Sequence, residues 1–241
     1  MNDDRQNRAR SRVLGSILAG LAALVAARPA LAVDGVIEIS QSRALAGGIT
    51  AGDGPGYPIF LNTPGSYRLT SNLTATGNNI GIYVNADDIT IDLNGFTLTG
   101  GGGPIADGIA IPGFKNVELR NGTIRGFTRS GVFTNINTQY IRVIGVTAIG
   151  NVTMGIDLQG EGNIIDGCTV LLNGAGMRAF EGSLVINSVA RGNTSFGLTL
   201  IGGAGYRSNV LTGNNGGDAN AQVSGGFQLG SNVCGTDLTC P

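Results

Sequence analysis

The chain has 241 residues, 42 of them glycine, with 13% charged residues, a formal net charge of −1 and neither histidine nor tryptophan. Without histidine, Ser-His-Asp and Cys-His hydrolase mechanisms and His-ligated zinc sites are excluded, and the glycines lack the strict three-residue period of collagen. The charge balance leaves no basic surface for nucleic acid.

The chain opens on Arg5, Arg8, Arg10 and Arg12, followed by an apolar run from Val13 to Ala27 and a small-x-small site at Ala30-Leu31-Ala32. This pattern predicts an export signal over residues 1–32, since the run is shorter than the roughly 20 residues of a membrane-spanning helix. The protein is therefore expected to be secreted or periplasmic, with no membrane insertion after signal cleavage. The signal holds five of the 15 basic and two of the 16 acidic residues, so the remainder carries 10 against 14, a net charge of −4. Residues 33–64 read as an N-terminal cap. Val36, Ile37 and Ile39 form a short strand there, and Ser40 to Leu45 form one helical turn stopped by Gly47-Gly48.

A repeat governs residues 65–230. Glycine followed by an apolar residue recurs at Gly81-Ile82, Gly108-Ile109, Gly131-Val132, Gly155-Ile156, Gly176-Met177, Gly197-Leu198 and Gly226-Phe227. A second marker, asparagine, recurs at Asn151, Asn173, Asn193 and Asn214, with the same period of roughly 21 residues. Between the markers the pattern alternates: Ile89, Ile91 and Leu93 with Thr90 and Asp92, Val117 and Leu119 around Glu118, Ile141 and Val143 around Arg142, Leu184 and Ile186 around Val185. Alternation with a fixed repeat means short strands in stacked coils, each burying its apolar side on the next. Asn94-Gly95, Asn121-Gly122, Asp166-Gly167 and Asn187-Ser188 supply corners that tolerate left-handed backbone. Asparagines stacked along the axis are expected to hydrogen-bond to one another. The fold class is all-β: a parallel β-helix of about seven coils with both ends capped. Residues 231–241 read as the C-terminal cap, where export favours a disulfide between Cys234 and Cys240. Cys168 falls on an apolar repeat position and reads as a small buried side chain.

These units resemble the right-handed parallel β-helix repeats of the pectin lyase-like superfamily. The resemblance is carried by Gly81-Ile-Tyr-Val84, Asp88-Ile-Thr-Ile-Asp-Leu-Asn-Gly95, Asn116-Val-Glu-Leu-Arg-Asn-Gly-Thr-Ile124 and Asn151-Val-Thr-Met-Gly-Ile156. The segment Pro64-Gly-Ser-Tyr-Arg-Leu69 is similar to small exported bacterial proteins of this fold with no assigned activity. The superfamily includes pectate lyases, polygalacturonases, alginate epimerases and non-catalytic surface proteins. The Gly-His-Gly of polygalacturonases and the Asp-Pro-His-Glu of epimerases need histidine, and the Arg-x-Pro-x-x-Arg of pectate lyases is absent, so no catalytic residue of the superfamily carries over.

Stacking Thr97, Thr123 and Thr147 keeps side-chain parity and places Asp92, Glu118 and Arg142 in one outward column. Two carboxylates on adjacent coils lie at the separation used by retaining glycosidases; Asp92 and Glu118 are also the candidate ligands for a Ca²⁺ that would hold an acidic sugar. The alternative is an exposed charge ladder in which Arg142 offsets Glu118. Asp87, Asp88 and Asp107 read as turn residues, and Asp157, Glu161 and Asp166 as a solvated face. Tyr83, Phe133 and Tyr140 are the aromatics expected to face outward or line a turn. No cofactor beyond that Ca²⁺ is implied. The leading functional expectation is a non-catalytic exported β-helix that binds polysaccharide or another envelope glycan, or serves structurally. The alternatives are a lyase or epimerase-like enzyme on acidic polysaccharide, and a periplasmic accessory protein.

Overall fold

Apolar alternation is what draws the chain into strands. Ile89–Asp92 buries Ile89 and Ile91 and leaves Thr90 and Asp92 half-buried; Thr97–Thr99 buries only Leu98. A computed structural model describes residues 35–77, 79–237 and 240; the expected export signal lies outside them. The strands form a parallel solenoid of about eight coils, one more than the glycine markers suggest. The first coil, with Ile59–Leu61, lacks that marker.

Three faces run along the axis. The first stacks Val36–Ile39, Gly65–Leu69, Ile89–Asp92, the start of Val117–Arg125, the start of Arg142–Ile149, Ile164–Asp166, Leu184–Ile186, Gly205–Arg207 and Phe227–Gln228. The second stacks Leu73–Thr74, Thr97–Thr99, the ends of the same two long strands, Thr169–Leu171, Val189–Arg191, Val210–Thr212 and Val233–Cys234. Because the long strands pass through the corner, these two faces count as one 15-stranded sheet. The third face is a separate eight-stranded sheet from Ile59–Leu61 through Ile82–Val84, Ile109–Ile111, Ser130–Thr134, Met154–Leu158, Ala175–Ala179 and Leu198–Leu200 to Val223–Ser224.

The glycine-apolar marker is the inner column of the third face. Ile82, Ile109, Val132, Ile156, Met177 and Leu198 stack in register and are fully buried. The glycine before each is a matter of space: a Cβ on Gly81 would stand 2.6 Å from the Gly108 carbonyl oxygen. Gly226-Phe227 does not belong to this column. Leu198 is followed by Val223, and Phe227 pairs with Gly205 on the first face.

The asparagine marker forms an internal ladder at the corner between the second and third faces. Asn151, Asn173, Asn193 and Asn214 are buried. Each sends its backbone N–H and its Nδ2–H to the side-chain oxygen of the next, at 2.8–3.1 Å. Gln222 ends the series. Its Oε1 accepts both bonds from Asn214, and its Nε2 donates to the carbonyls of Asn214, Gly217 and Asn220. A second ladder, at the corner between the first and second faces, joins Cys168, Ser188, Asn209 and Asn232. There the Cys168 thiol donates to the Val143 carbonyl, and burial pushes its pKa up to about 12. Each ladder satisfies corner amides that the turns would otherwise leave unpaired in the core.

At the N-terminal end, helix α1 (Gln41–Ala46) lays Ala44 on the core. Ser40 caps it by accepting from the Arg43 N–H, and Gly47, at φ 76°, ends it. At the other end Cys234 and Cys240 stand at disulfide distance, with Cα atoms 5.2 Å apart.

Candidate functional site

The threonine register holds on the second face, where Thr97, Thr123, Thr147 and Thr169 stack. On the first face it holds for one pair only. Glu118 lies opposite Arg142, but Asp92 lies opposite Arg120, not Glu118. The cause is the turn Leu93–Phe96, which the next coil lacks: five positions separate Asp92 from Thr97, and three separate Arg120 from Thr123. The two-residue shift preserves parity, so all these side chains still point outward. Gly122 receives the inserted turn; a Cβ there would collide with Leu93.

A guanidinium therefore stands between the two carboxylates. Arg120 Nε lies 3.1 Å from Asp92 Oδ2 and its Nη1 3.0 Å from Glu118 Oε1. Arg142 Nε is 3.8 Å from Glu118 Oε2, and Arg68 pairs with Glu38 at 3.0 Å two coils earlier. The upper part of the first face is thus an alternating ion-pair lattice. No group of three or more acidic or sulfur side chains placed to hold a metal occurs among the described residues.

A denser constellation occupies the third face. Its outward column reads Phe60, Tyr83, Ala110, Phe133, Asp157, Arg178, Thr199 and Ser224. The rings of Phe60 and Tyr83 lie 5.4 Å apart. Asp157, read from sequence as part of a solvated face, is only 3% exposed. It accepts from Arg178 Nε at 2.7 Å and Nη2 at 2.6 Å, and from Gln159 Nε2 at 3.0 Å. Neighbouring side chains and a bidentate partner replace its water. Asp107 is also buried and does more than shape a turn. Its Oδ1 accepts from the Ser130 N–H at 2.9 Å, and its Oδ2 lies 3.2 Å from Arg129 Nη1. Burial raises its pKa; the Ser130 N–H and Arg129 oppose the rise, and the Asp157 charge adds to it. Arg129 in turn lies over the Phe133 ring, 4.9 Å from its centre.

Gln159 carries this network to the corner between the third and first faces. There a cavity of about 170 Å³ is lined by Gln159, Glu161, Phe180, Glu181, Ile136 and Ile201 among others. The Arg178 guanidinium is 5.9 Å from the Phe180 ring centre, so the column and the cavity form one continuous surface. A larger hollow of about 310 Å³, beside Leu171, Leu172, Arg191 and Gly192, offers one charged side chain and little else to recognise a ligand.

Tyr83 and Phe133 thus stand outward on the third face, and Tyr140 is exposed at a turn. The sequence reading missed the partnership of Asp107, Arg129, Asp157 and Arg178. The signal was available: the residue after each glycine-apolar pair is the outward column, and Asp157 and Arg178 occupy that place in successive coils.

A family model described as a right-handed β-helix region matches residues 57–216. No curated protein and no solved structure matches the chain.

Proposed function

From the premise that this chain belongs to the right-handed β-helix family, we propose that it is an exported, non-catalytic protein of the cell envelope that binds a glycan along its third face. One observation carries this reading: the outward column that passes from the rings of Phe60, Tyr83 and Phe133 to the Asp157–Arg178 pair and into the corner cavity beside Phe180. Rings present flat apolar surface to the carbon faces of sugars, and fixed polar groups meet the hydroxyls. Adjacent coils repeat about every 4.8 Å, so the strip suits an extended chain of like units. Asp107 and Asp157 are engaged by arginines and hydrogen-bond donors, which favours a positioned surface over a free general base. A Cys pair at disulfide distance is in keeping with an oxidising compartment.

The test is a polysaccharide array probed with the full chain and with the Phe133→Ala and Phe180→Ala variants. Binding that weakens about tenfold in each variant is expected if the rings anchor the ligand. Retention of no arrayed polysaccharide, or binding indifferent to both substitutions, removes the reading.

Catalysis on an acidic polysaccharide is the second reading. It is favoured by the raised pKa of Asp107 beside Arg129, the combination a proton-transfer step would use. Incubation with uronate polymers, with and without Ca²⁺, separates the two. Unsaturated products lost in Asp107→Asn would establish the enzyme.

A further inference from the structure

The lower half of the first face differs in kind from the ion-pair lattice above it. The sequence pattern puts Leu184 and Ile186 on one side of their strand and Val185 on the other, and the structure turns Val185 inward and the two larger residues outward. Outward side chains from five successive coils form two columns. One reads Arg142, Ile164, Leu184, Gly205 and Phe227; the other Ile144, Asp166, Ile186 and Arg207, and Leu229 follows Phe227 out of the strand. Phe227 and Leu229 are 63% and 59% exposed, and Leu229 lies over Gly205, where a Cβ would meet it. Asp166 accepts from Asn187 Nδ2 at 2.9 Å. Among the described residues neither Asp166 nor Arg207 joins an ion pair within the chain.

We propose that this half-face is the contact surface of a symmetric dimer, and that its occupant is a second copy of the same chain. The argument is the self-complementarity of the two columns. A two-fold axis parallel to the strands, at the level of Leu184 and Ile186, reverses the order of the coils and keeps each position along the strand. It sets Leu184 against Leu184 of the partner subunit and Ile186 against Ile186 of the partner subunit. One coil away it sets Asp166 against Arg207 of the partner subunit, twice by symmetry. Two coils away it sets Arg142 against Phe227 of the partner subunit, in reach of the ring face. Ile164 meets Leu229 of the partner subunit, whose side chain covers the glycine at 205. Leu184, Ile186 and Ile164 find apolar partners, and the two isolated charges find each other. This is the isologous pattern a two-fold interface requires. Five coils span only about 19 Å, so the contact is in the range of weak, transient interfaces and the dimer depends on concentration. The third face stays free.

Sedimentation equilibrium of the full chain over a range of concentrations tests the proposal. A monomer–dimer equilibrium is expected. Asp166→Arg alone and Arg207→Asp alone each replace two attractions with two repulsions and should weaken the dimer about tenfold or more. The double variant Asp166→Arg/Arg207→Asp restores the pairing and should recover dimerisation. Leu184→Asp places two carboxylates across the axis and should leave monomer only. These positions lie on the surface, and far-ultraviolet circular dichroism checks that each variant is folded. Monomer at every concentration, a dimer indifferent to Asp166→Arg, or a folded double variant that stays monomeric overturns the proposal.

Discussion

Asp157 and Arg178 lie opposite each other on adjacent coils and are joined by two hydrogen bonds of 2.7 and 2.6 Å. The two ends differ in burial: the Asp157 side chain is 4% exposed and that of Arg178 30%. Losing one partner is therefore not equivalent to losing the other. Arg178→Met strands a carboxylate in the protein and is expected to cost about 3 kcal/mol, whereas Asp157→Asn leaves a guanidinium that water can still reach and should cost about 1 kcal/mol. Urea unfolding of the two variants checks the order.

The asparagine ladder gives a second expectation. Asn173 Oδ1 accepts two bonds from Asn151, and its own N–H and Nδ2–H donate to Asn193. Asn173→Ala leaves the Asn151 donors unpaired in the core and should cost about 3 kcal/mol. Asn187→Ala, at an exposed corner with φ 54°, should cost about 1 kcal/mol through backbone strain and the loss of its exposed hydrogen bond to Asp166. Denaturant midpoints of the two variants separate a buried network from a turn preference.

Asp107 links stability to pH. Its pKa is raised in the folded protein, so the unfolded chain loses this proton first as pH rises. The group consequently removes stability as pH climbs from the ordinary carboxylate value to the raised one, and restores it as pH falls back through that window. Asp107→Asn keeps an oxygen for the Ser130 N–H without the charge. Its stability relative to the parent should increase with pH across the window and level off above it. Urea midpoints of both proteins measured from acid to neutral pH supply the test.

Gly122 is where the extra turn of the preceding coil presses closest. Gly122→Ala drives a methyl group into Leu93 and should cost about 2 kcal/mol. Thermal unfolding of the variant measures it, and Gly54→Ala, at a glycine with neither such a contact nor a left-handed φ, serves as the control.

The stacked architecture was legible because two markers kept one period and the strands between them alternated. Parity was legible as well, since a two-residue slip leaves every side chain on its own side. What could not be read was the slip itself. Nothing local distinguishes Leu93–Phe96, which leaves the strand, from Asn121-Gly122, which the next coil carries straight through; the packing of one coil on another decides it. The same holds for Asp157. Its strand, Met154–Leu158, buries all five residues, so alternation fails where a salt bridge and an amide take the place of solvent. Phe227 was misplaced for a related reason: the loop from Asn214 to Gln222 interrupts the period, and the glycine pair at 225–226 imitates the marker. The α1 turn followed the cap rules, because Ser40 and Gly47 act within one helical turn of their partners.

The asparagine ladder is directional, and that direction governs how long such a protein can be. Each carboxamide hands one proton to the next side chain towards the C-terminus and the other to a carbonyl of the coil before it, so the last one requires a receiver. Gln222, one methylene longer, folds back and delivers its own protons to main-chain carbonyls of its loop. A coil duplicated upstream between Asn151 and Asn193 would slot into the relay with nothing left over. Truncation before Gln222 would leave the Asn214 main-chain N–H and one of its Nδ2 protons with no acceptor. The count of coils is open to change by insertion, while the stop is a single side chain.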